Sequence, residues 1–464
     1  MQYNSPLLQF NKLFRFTGEF MKLMTTIFCA LYFSSAFANL HLAPPNLNIN
    51  GVEGVFVDIQ TAKTVLTYDI SKRTAIAKTT LELNQPVSGK VIFDLVNEPT
   101  KILFDDQLTS SSTTSMDGVS TVRYLDRDTA AGNHTLVITN EIDKNISFST
   151  DYVKSAFWMS DLSDRRYLEQ YLPTNLEYDQ YQTDLEVKIV GTDAEHVLYT
   201  NGSVNELSIN HWKVSYPAGY TASSYFYHLT KKGLIPEEKA TYKSIDGRVL
   251  PVTVYTDQST SRFMSATLEI LAELEADYGP FPHAQVIIYG AGSGGMEYCG
   301  ATITSFSALG HELTHSYFAR GIMPAHGNAG WVDEAIASWR DGGYRSYTSR
   351  SLSRTDMAGH SVYQRTTDRD AYTRGMRFIG FLNDKFQAQE SFKVFLKEFF
   401  TERKFKPFKT EEFQKAIEDF YNADLARDFD SYVYGKKGTD KHAEIVQENP
   451  NHPKLSDKQI FDLL

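Results

Sequence analysis

Alternation of hydrophobic and polar residues dominates the first half of the chain. From about residue 60 to 230 roughly every second position is apolar, and residues 184–189 alternate without exception. A period of two predicts strands with one face on a core and the other in water, as in antiparallel sheets. Further strands are predicted at 64–70, 75–83, 90–95, 119–125, 134–140 and 223–230, and turns at Asp117-Gly118 and Asn201-Gly202.

Helical periodicity replaces this alternation after a strand predicted at 250–255. The first helical stripe, which ends at Gly279-Pro280, comprises Met264, Leu268, Leu271, Leu274 and Tyr278. A strand at 285–289 and a glycine-rich stretch at 290–295 follow, and helical stripes rich in Phe fill the chain from about residue 374. The pattern predicts a multidomain α and β protein. It has an antiparallel β-sheet domain at 39–232, a mostly α-helical domain at 233–449 and a tail at 450–464.

The segment His311-Glu312-Leu313-Thr314-His315 carries the candidate chemistry. Histidines at i and i+4 share one face of a helix, so both imidazoles can reach one ion. Eighteen residues separate His315 from Glu334, which falls in a second predicted helix and would be the third ligand. Three such ligands with an open fourth position are typical of a catalytic zinc site. The alternative is an amphipathic helix whose histidines make ordinary hydrogen bonds.

Glu312 has a different predicted role from the three ligands. It follows His311 directly, about 100° round the helix, so it does not share the face of the two histidines. From there it can take a proton from a water that the metal activates, without binding the metal itself.

The first 38 residues are predicted to contain a secretory signal peptide, which opens at Met21-Lys22. An apolar run covers 27–33, and Ala36-Phe37-Ala38 is a small-x-small cleavage site. We therefore predict export, to the periplasm or to the outside of the cell, with cleavage near Ala38. Because the first twenty residues are unusual for a signal peptide, the translation start is predicted at Met21 or Met24. A short membrane anchor is the alternative, although the apolar run is short for a span.

Charge and cysteine content narrow the function classes further. The net charge of −11 argues against nucleic acid as a partner. No stretch of 18 apolar residues follows residue 40, so the mature chain is not predicted to insert stably into a membrane. Removal of the signal would leave Cys299 as the remaining cysteine, which we interpret as a buried structural thiol. The sequence does not indicate an oligomeric state.

Taken in chain order, these features resemble a known family. It is the gluzincin zinc metallopeptidases typified by aminopeptidase N and leukotriene hydrolase. The family has a β domain, a Gly-x-Met-Glu-Asn segment, HExxH with a glutamate eighteen residues on, and a downstream tyrosine. The resemblance covers most of the predicted mature chain. It implies a thermolysin-like catalytic domain at 233–449, one Zn²⁺ per chain and peptide substrates with a free N-terminus.

The resemblance also implies roles for individual residues. Gly295, Met296 and Glu297 match the substrate-binding segment, in which Glu297 would bind the α-amino group of the peptide. A fixed carboxylate there offsets the cost of desolvating the ammonium group. It also positions the peptide so that the bond after its first residue lies at the metal. Tyr372 would donate a hydrogen bond to the tetrahedral oxyanion, with Tyr363 as the alternative. Asp161, in the β domain, would help to hold the amine.

Three departures from the family pattern stand out. Tyr298 occupies the position of the usual Asn. Only fourteen positions separate Glu297 from His311, about ten fewer than the resemblance implies. The chain ends where the catalytic domain should, so the family's C-terminal helical-repeat domain is expected to be absent. A more open cleft would then admit longer peptides.

These inferences predict a zinc aminopeptidase in which Glu312 is the general base and Tyr372 stabilises the oxyanion. Two alternatives remain open. One is a zinc endopeptidase or other amide hydrolase without strict recognition of the N-terminus. The other is a non-catalytic peptide-binding relative, although binding alone would not require Glu312. The preferred N-terminal residue and the physiological substrate are not predicted.

Overall fold

A computed structural model describes residues 40–325 and 328–436. Its N-terminal part is rich in β-strands and its C-terminal part contains most of the helices, as the hydrophobic patterns predicted. The predicted signal peptide at 1–38 and the predicted tail at 450–464 lie outside the described residues. Within them, no helix is both long enough and apolar enough to span a membrane.

The β-rich part contains strands β1 to β17, which form three sheets. The strands are β1 Leu47–Ile49, β2 Val52–Phe56, β3 Asp58–Asp69, β4 Thr74–Gln85, β5 Lys90–Phe93, β6 Lys101–Phe104, β7 Gln107–Thr109, β8 Ser111–Met116, β9 Ser120–Leu125, β10 Gly132–Glu141, β11 Ile146–Phe148, β12 Val153–Ala156, β13 Gln182–Val190, β14 His196–Thr200, β15 Ser203–Ser208, β16 His211–Tyr216 and β17 Tyr227–Lys231. The largest sheet has the order β15-β16-β13-β3-β4-β10-β6-β7. The other two have the orders β1-β2-β5-β9-β8 and β11-β12-β17-β14.

Most of these strand pairs are antiparallel, as predicted, but two are not. Strand β13 runs parallel to β3, and β2 runs parallel to β5. A parallel pair needs a crossover connection rather than a tight turn, and more than a hundred residues separate β3 from β13. Alternation of side chains reveals a strand and its buried face, but it does not reveal the direction of a distant partner.

The C-terminal part combines a five-stranded sheet and a two-stranded sheet, β23 with β24, with seven described helices. Its strands are β18 Glu237–Lys243, β19 Val249–Thr256, β20 Val286–Gly290, β21 Gly295–Tyr298, β22 Ala301–Thr304, β23 Met323–Pro324 and β24 Pro407–Phe408. Its helices are α1 Thr260–Tyr278, α2 Leu309–Phe318, α3 Trp331–Asp341, α4 Met376–Phe386, α5 Phe392–Arg403, α6 Thr410–Tyr421 and α7 Ala426–Tyr432. A π-helical turn, Ala371–Gly375, directly precedes α4. Three short 3₁₀ segments are Leu40–Leu42, Leu168–Gln170 and Ser349–Ser351.

The five-stranded sheet of this part has the order β18-β19-β20-β22-β21. Strands β19, β20 and β22 are parallel, and β21 is an antiparallel edge strand. Two apolar clusters hold the sheet in place. One joins it to the helices and includes Trp331 and Trp339, both essentially fully buried. The other joins β21 and β22 to the β-rich part, and therefore crosses the boundary predicted at residue 232.

Candidate metal centre

Helices α2 and α3 bring the three predicted ligands together. In α2, Leu313 and Tyr317 are buried in the helical core, and the opposite face carries His311 and His315. The two imidazole rings have centroids 4.7 Å apart and planes at 77°. Helix α3 packs against α2 and directs Glu334, which is 3% exposed, at both rings.

The distances among the three side chains fit a tetrahedral zinc ion. Glu334 Oε2 lies 3.1 Å from His311 Nε2 and 3.5 Å from His315 Nε2. Zinc–ligand bonds of 2.0–2.1 Å at tetrahedral angles place neighbouring ligand atoms about 3.3 Å apart. The three residues also form one of the two groups in the described chain whose ligand atoms converge closely enough for a metal. Two neutral imidazoles and a carboxylate are a donor set that zinc accepts.

A carboxylate lies behind each histidine, and the one behind His311 fixes the orientation of its ring. Asp341 Oδ2 lies 2.8 Å from His311 Nδ1, which leaves Nε2 directed at Glu334. Hydrogen bonds of this kind set the tautomer and ring orientation of metal-binding histidines. Asp333 Oδ2 lies 3.6 Å from His315 Nδ1, too far for a hydrogen bond but close enough to act electrostatically. The sequence prediction missed both aspartates, although Asp341 lies seven residues after Glu334, two turns along the same helix.

The surrounding acids favour positive charge at this point. Burial lowers the pKa of His311, but hydrogen bonds with Asp341 and Glu334 outweigh it and raise that pKa to about 10. Burial raises the pKa of Glu334, but the two imidazoles outweigh it and hold the pKa well below its usual range. The same field would stabilise a divalent cation in competition with the protons of the imidazoles.

Glu312 lies on α2 beside the ligands, and a glycine makes room for its carboxyl group. A Cβ atom on Gly295 of β21 would overlap Oε1 of Glu312. Burial raises the pKa of Glu312 to about 8, against the opposing effect of His311 and His315. Gly295 therefore has a steric reason for its place in the predicted substrate-binding segment, since it permits Glu312 to stand next to β21.

Tyr372 reaches the ligands from the π-helical turn. Its hydroxyl donates a 2.8 Å hydrogen bond to Glu334 Oε1, and its ring lies parallel to that of His311. Burial, then Glu334, raises the pKa of Tyr372 well above its usual range, so the phenol keeps its proton. Tyr363, the alternative, instead donates to the backbone carbonyl of Pro45. The structure thus brings Tyr372 to the centre and places Tyr363 elsewhere.

Glu297 and Asp161 border the same centre. A carboxylate oxygen of Glu297 lies within 4.8 Å of ligand atoms of His315 and Asp333. Asp161 lies against Glu334, and its burial, followed by the charges of Glu334 and Glu297, raises its pKa well above the usual range. Glu297 and Asp161 also line one narrow cavity with Tyr167, Glu177, Arg320 and Asp333. The position of Asp161 in the β-rich part shows that both parts of the chain contribute to this cavity.

The remaining residues of the predicted segment face the other way. Met296 and Tyr298 alternate with Gly295 and Glu297 along β21, and both pack into the apolar cluster shared with the β-rich part. The Tyr298 hydroxyl donates to the carbonyl of Phe157 at 3.1 Å. The Tyr in place of Asn is therefore an anchor for the strand that leads to Asp161, and Met296 can meet a substrate only through its backbone. Cys299 is buried as interpreted, and burial raises its pKa to about 12.

A tight hairpin explains how so few residues connect Glu297 to His311. Strand β21 turns directly into β22, and Gly300 takes a left-handed conformation with φ of +69° at that turn. Helix α2 begins only five residues after β22 ends. The connection is short, yet Glu297 still lies beside the metal ligands.

Several solved zinc metallopeptidases have a fold similar to that of this chain. No protein-family model matches the sequence, and no curated protein matches it by sequence. Aminopeptidase A of Legionella pneumophila, solved with aspartic acid, is 13% identical with a TM-score of 0.60, covering 84% of this chain and 51% of that one. An M1 zinc metallopeptidase of Deinococcus radiodurans is 14% identical with a TM-score of 0.58, and the match covers 82% of this chain and 95% of that one.

Yeast LTA4 hydrolase in complex with bestatin is also similar. It is 13% identical with a TM-score of 0.58, covering 83% of this chain and 69% of that one. The chain therefore spans about half the length of the Legionella protein and nearly all of the Deinococcus protein. At these identities the likeness establishes the fold, which has a β-rich N-terminal part and a helical C-terminal part.

Proposed function

We propose that the protein is a zinc-dependent aminopeptidase that removes N-terminal residues from peptides. The observation that carries this proposal is the convergence of Glu334 on His311 and His315 at 3.1 and 3.5 Å, with Glu312 next to them. Similarity in fold to proteins named aminopeptidase and zinc metallopeptidase supports it. The role of each residue follows from where its side chain lies.

The three ligands would hold Zn²⁺, which supplies a Lewis acid for the scissile carbonyl and lowers the pKa of a water toward about 7. Glu312 takes a proton from the attacking water and delivers it to the leaving amine. Its buried position raises its basicity, as a general base working near neutral pH requires. The phenol of Tyr372 keeps its proton and can donate a hydrogen bond to the oxygen that gains charge.

Glu297 would supply the negative charge that an ammonium group needs, and Asp161 would add an acceptor oxygen beside it. Both carboxyl groups border the cavity beside His315 and Asp333. A buried carboxylate binds an amine by a charge-assisted hydrogen bond, which is stronger than a neutral one. Recognition of the free N-terminus at this point would restrict cleavage to the first peptide bond.

An endopeptidase is the second candidate, and one contact favours it. Glu297 already has a counter-ion, because Arg320 donates to its Oε1 at 2.7 Å. A carboxylate that is partly neutralised attracts a second cation less strongly. The experiment below separates the two candidates. A non-catalytic role has no comparable support, because peptide binding alone does not require a general base such as Glu312.

The test compares a tripeptide with its N-acetylated form, using zinc-loaded protein. An aminopeptidase cleaves the free peptide and not the acetylated one, whereas an endopeptidase cleaves both. The Glu312→Gln variant should keep its zinc and lose turnover by about a thousandfold or more, since proton transfer by a positioned base contributes 10²–10⁴. Turnover by that variant at the original rate would exclude the mechanism.

We also propose that the protein is exported, with a signal peptide removed near Ala38. The support is the apolar run at 27–33 followed by a small-x-small site. N-terminal sequencing of the protein from cell fractions tests this, and an intact N-terminus on cytoplasmic protein would contradict it.

A further inference from the structure

We propose that Arg320 is the positioning residue that holds the Glu297 carboxylate in place beside the metal centre. It would thereby set the preference for peptides with a free N-terminus. The inference rests on the proposed function, and it concerns a residue outside the predicted catalytic and ligand set. Arg320 lies two residues after the end of α2 and is 5% exposed.

Arg320 forms hydrogen bonds with both the side chain and the backbone of Glu297. One terminal nitrogen of the guanidinium donates to Glu297 Oε1 at 2.7 Å, and Nε donates to the Glu297 carbonyl at 3.4 Å. The backbone N–H of Arg320 donates to the carbonyl of His315 at 2.9 Å. Arg320 therefore links the residue that would bind the amine to the helix turn that carries a metal ligand.

The other side of the guanidinium is anchored in the β-rich part. Its second terminal nitrogen donates to Ser223 Oγ at 2.7 Å and lies 3.9 Å from Glu177 Oε1. Ser223 in turn donates to Glu177. Each of the three guanidinium nitrogens already donates to a protein acceptor, and the positive charge of Arg320 would repel a substrate ammonium group. Its effect must pass through Glu297, which makes it a positioning residue and not a catalytic one.

Glu297 needs such a partner because it is buried, with 4% of its surface exposed. A buried carboxylate without a counter-charge is costly, and it relieves the cost by taking up a proton or by rotating away. Either change would remove the fixed negative charge that an ammonium requires. In the described residues no hydrogen bond is made to the second oxygen, Oε2, which leaves it for the substrate.

The short connection between Glu297 and His311 makes this link more important. The hairpin of β21 and β22 leads almost directly into α2, so no intervening helix braces the edge strand. Arg320 braces it from the far end of α2. The thiol of Cys299, in the turn between β21 and β22, lies 3.6 Å from the Arg320 carbonyl and adds a contact at the end of the same strand.

The experiment measures peptide binding in the zinc-loaded Glu312→Gln background, where cleavage does not interfere. Calorimetry gives Kd for a tripeptide and for its N-acetylated form, in protein with Arg320 intact, Arg320→Gln and Arg320→Lys. Zinc content and melting temperature are recorded for each variant. Arg123→Gln is the matched control, because Arg123 is also buried and donates to a carbonyl, a carboxylate and a serine of the β-rich part.

We expect Arg320→Gln to raise the Kd of the free tripeptide by about tenfold or more, because one partner of a buried ion pair is lost. The Kd of the acetylated peptide should not change. Arg320→Lys should recover part of the preference, because it restores the positive charge. Arg123→Gln should lower the melting temperature and keep the preference.

Two results would overturn the inference alone: an unchanged preference in both Arg320 variants, or an equal loss of affinity for both peptides. If Arg320→Gln does not fold, the Arg320→Lys variant provides the test. Full preference for the free peptide with lysine would contradict the need for a guanidinium group. Complete loss of that preference would contradict the role of the positive charge. A lack of preference for the free amine with Arg320 intact would overturn the proposed function, and this inference with it.

Discussion

At the scale of single residues, the candidate centre depends on how closely side chains approach one another. The carboxyl group of Glu312 stands where a side chain on β21 would otherwise be, and Gly295 leaves that space open. Glu312 is the end of a flexible side chain, so a small obstacle would displace it without unfolding the protein. Reaction geometry is far more sensitive than stability to such a displacement.

Replacing Gly295 with Ala should therefore lower kcat/KM much more than the melting temperature. We expect a loss of about a hundredfold, the cost of misplacing a reacting group by about 1 Å. The matched control is Gly292→Ala in the same glycine-rich stretch, where an added Cβ meets nothing within 4 Å. Equal activity of the two variants would show that Glu312 does not need the space at Gly295.

Helical geometry predicted the residues of this centre that share α2, and the resemblance to a known family predicted Glu297 and Tyr372 on other elements, but neither signal reached every residue of the centre. His311, Glu312 and His315 follow from helical geometry, and Asp341 could have been inferred from its two-turn spacing to Glu334. Arg320 could not, because its partners Glu297 and Ser223 are 23 and 97 residues away in the chain. No periodicity links positions that distant.

At the scale of elements, the π-helical turn determines where Tyr372 lies. The turn packs against α3, which carries Glu334, and two small residues meet at the contact. A Cβ atom on Gly375 would lie 2.8 Å from the Cβ of Ala335, closer than real Cβ contacts allow. The close approach brings the Tyr372 hydroxyl to Glu334, and isolated π turns of this kind are frequent at functional sites.

Gly375→Ala should push the turn away from α3 and lower kcat by about tenfold, with a smaller effect on KM, because one hydrogen bond to the oxyanion is weakened. Ala335→Gly added to it should restore kcat, since the obstructing methyl group is gone, although glycine in a helix costs about 1 kcal/mol of stability. Steady-state kinetics and thermal unfolding of the unsubstituted protein and the two variants measure both effects. A double variant as slow as Gly375→Ala would contradict this account of the contact.

The sequence predicted most elements of the sheet-rich and helical parts, because strand alternation and helical stripes are local. Strand β17 shows the limit of that signal, since it begins at Tyr227 and not at the predicted residue 223. The π turn had no signal, because it differs from a helix only by one hydrogen-bond step. The parallel pairing of β3 with β13 depends on the path of the whole chain between them.

At the scale of the whole molecule, buried histidines couple stability to pH. His283 lies under α2, where its Nε2 is 3.0 Å from the Ser316 carbonyl, and burial lowers its pKa to about 3. His228 is buried between the two parts of the chain, and burial lowers its pKa to about 4. Both are neutral in the folded protein at neutral pH and become free to take up a proton on unfolding.

The sign of the pH effect follows from these pKa values. Each folded pKa lies below the unfolded value of about 6.5, so the unfolded state binds the extra proton in between. Stability from His283 is complete above pH 6.5 and falls by up to about 1.4 kcal/mol per pH unit as the pH drops toward 3.

His283→Gln keeps an N–H donor for Ser316 and removes the titration. We therefore expect the urea midpoint of the variant to depend less on pH than that of the unsubstituted protein between pH 7 and pH 5. If the urea midpoints of the two proteins changed equally with pH, the imidazole of His283 would have to be charged in the folded protein, which would contradict this account.

The central claim is that His311, His315 and Glu334 bind one zinc ion. Competition with a chromogenic zinc chelator measures this most directly, using the unsubstituted protein and Glu334→Ala. We expect one zinc per chain, and an affinity at least about a hundredfold lower in the variant, which is more than the loss of an outer hydrogen bond to a ligand would cause. A protein that takes up no zinc, or a variant that binds it equally well, would contradict the account.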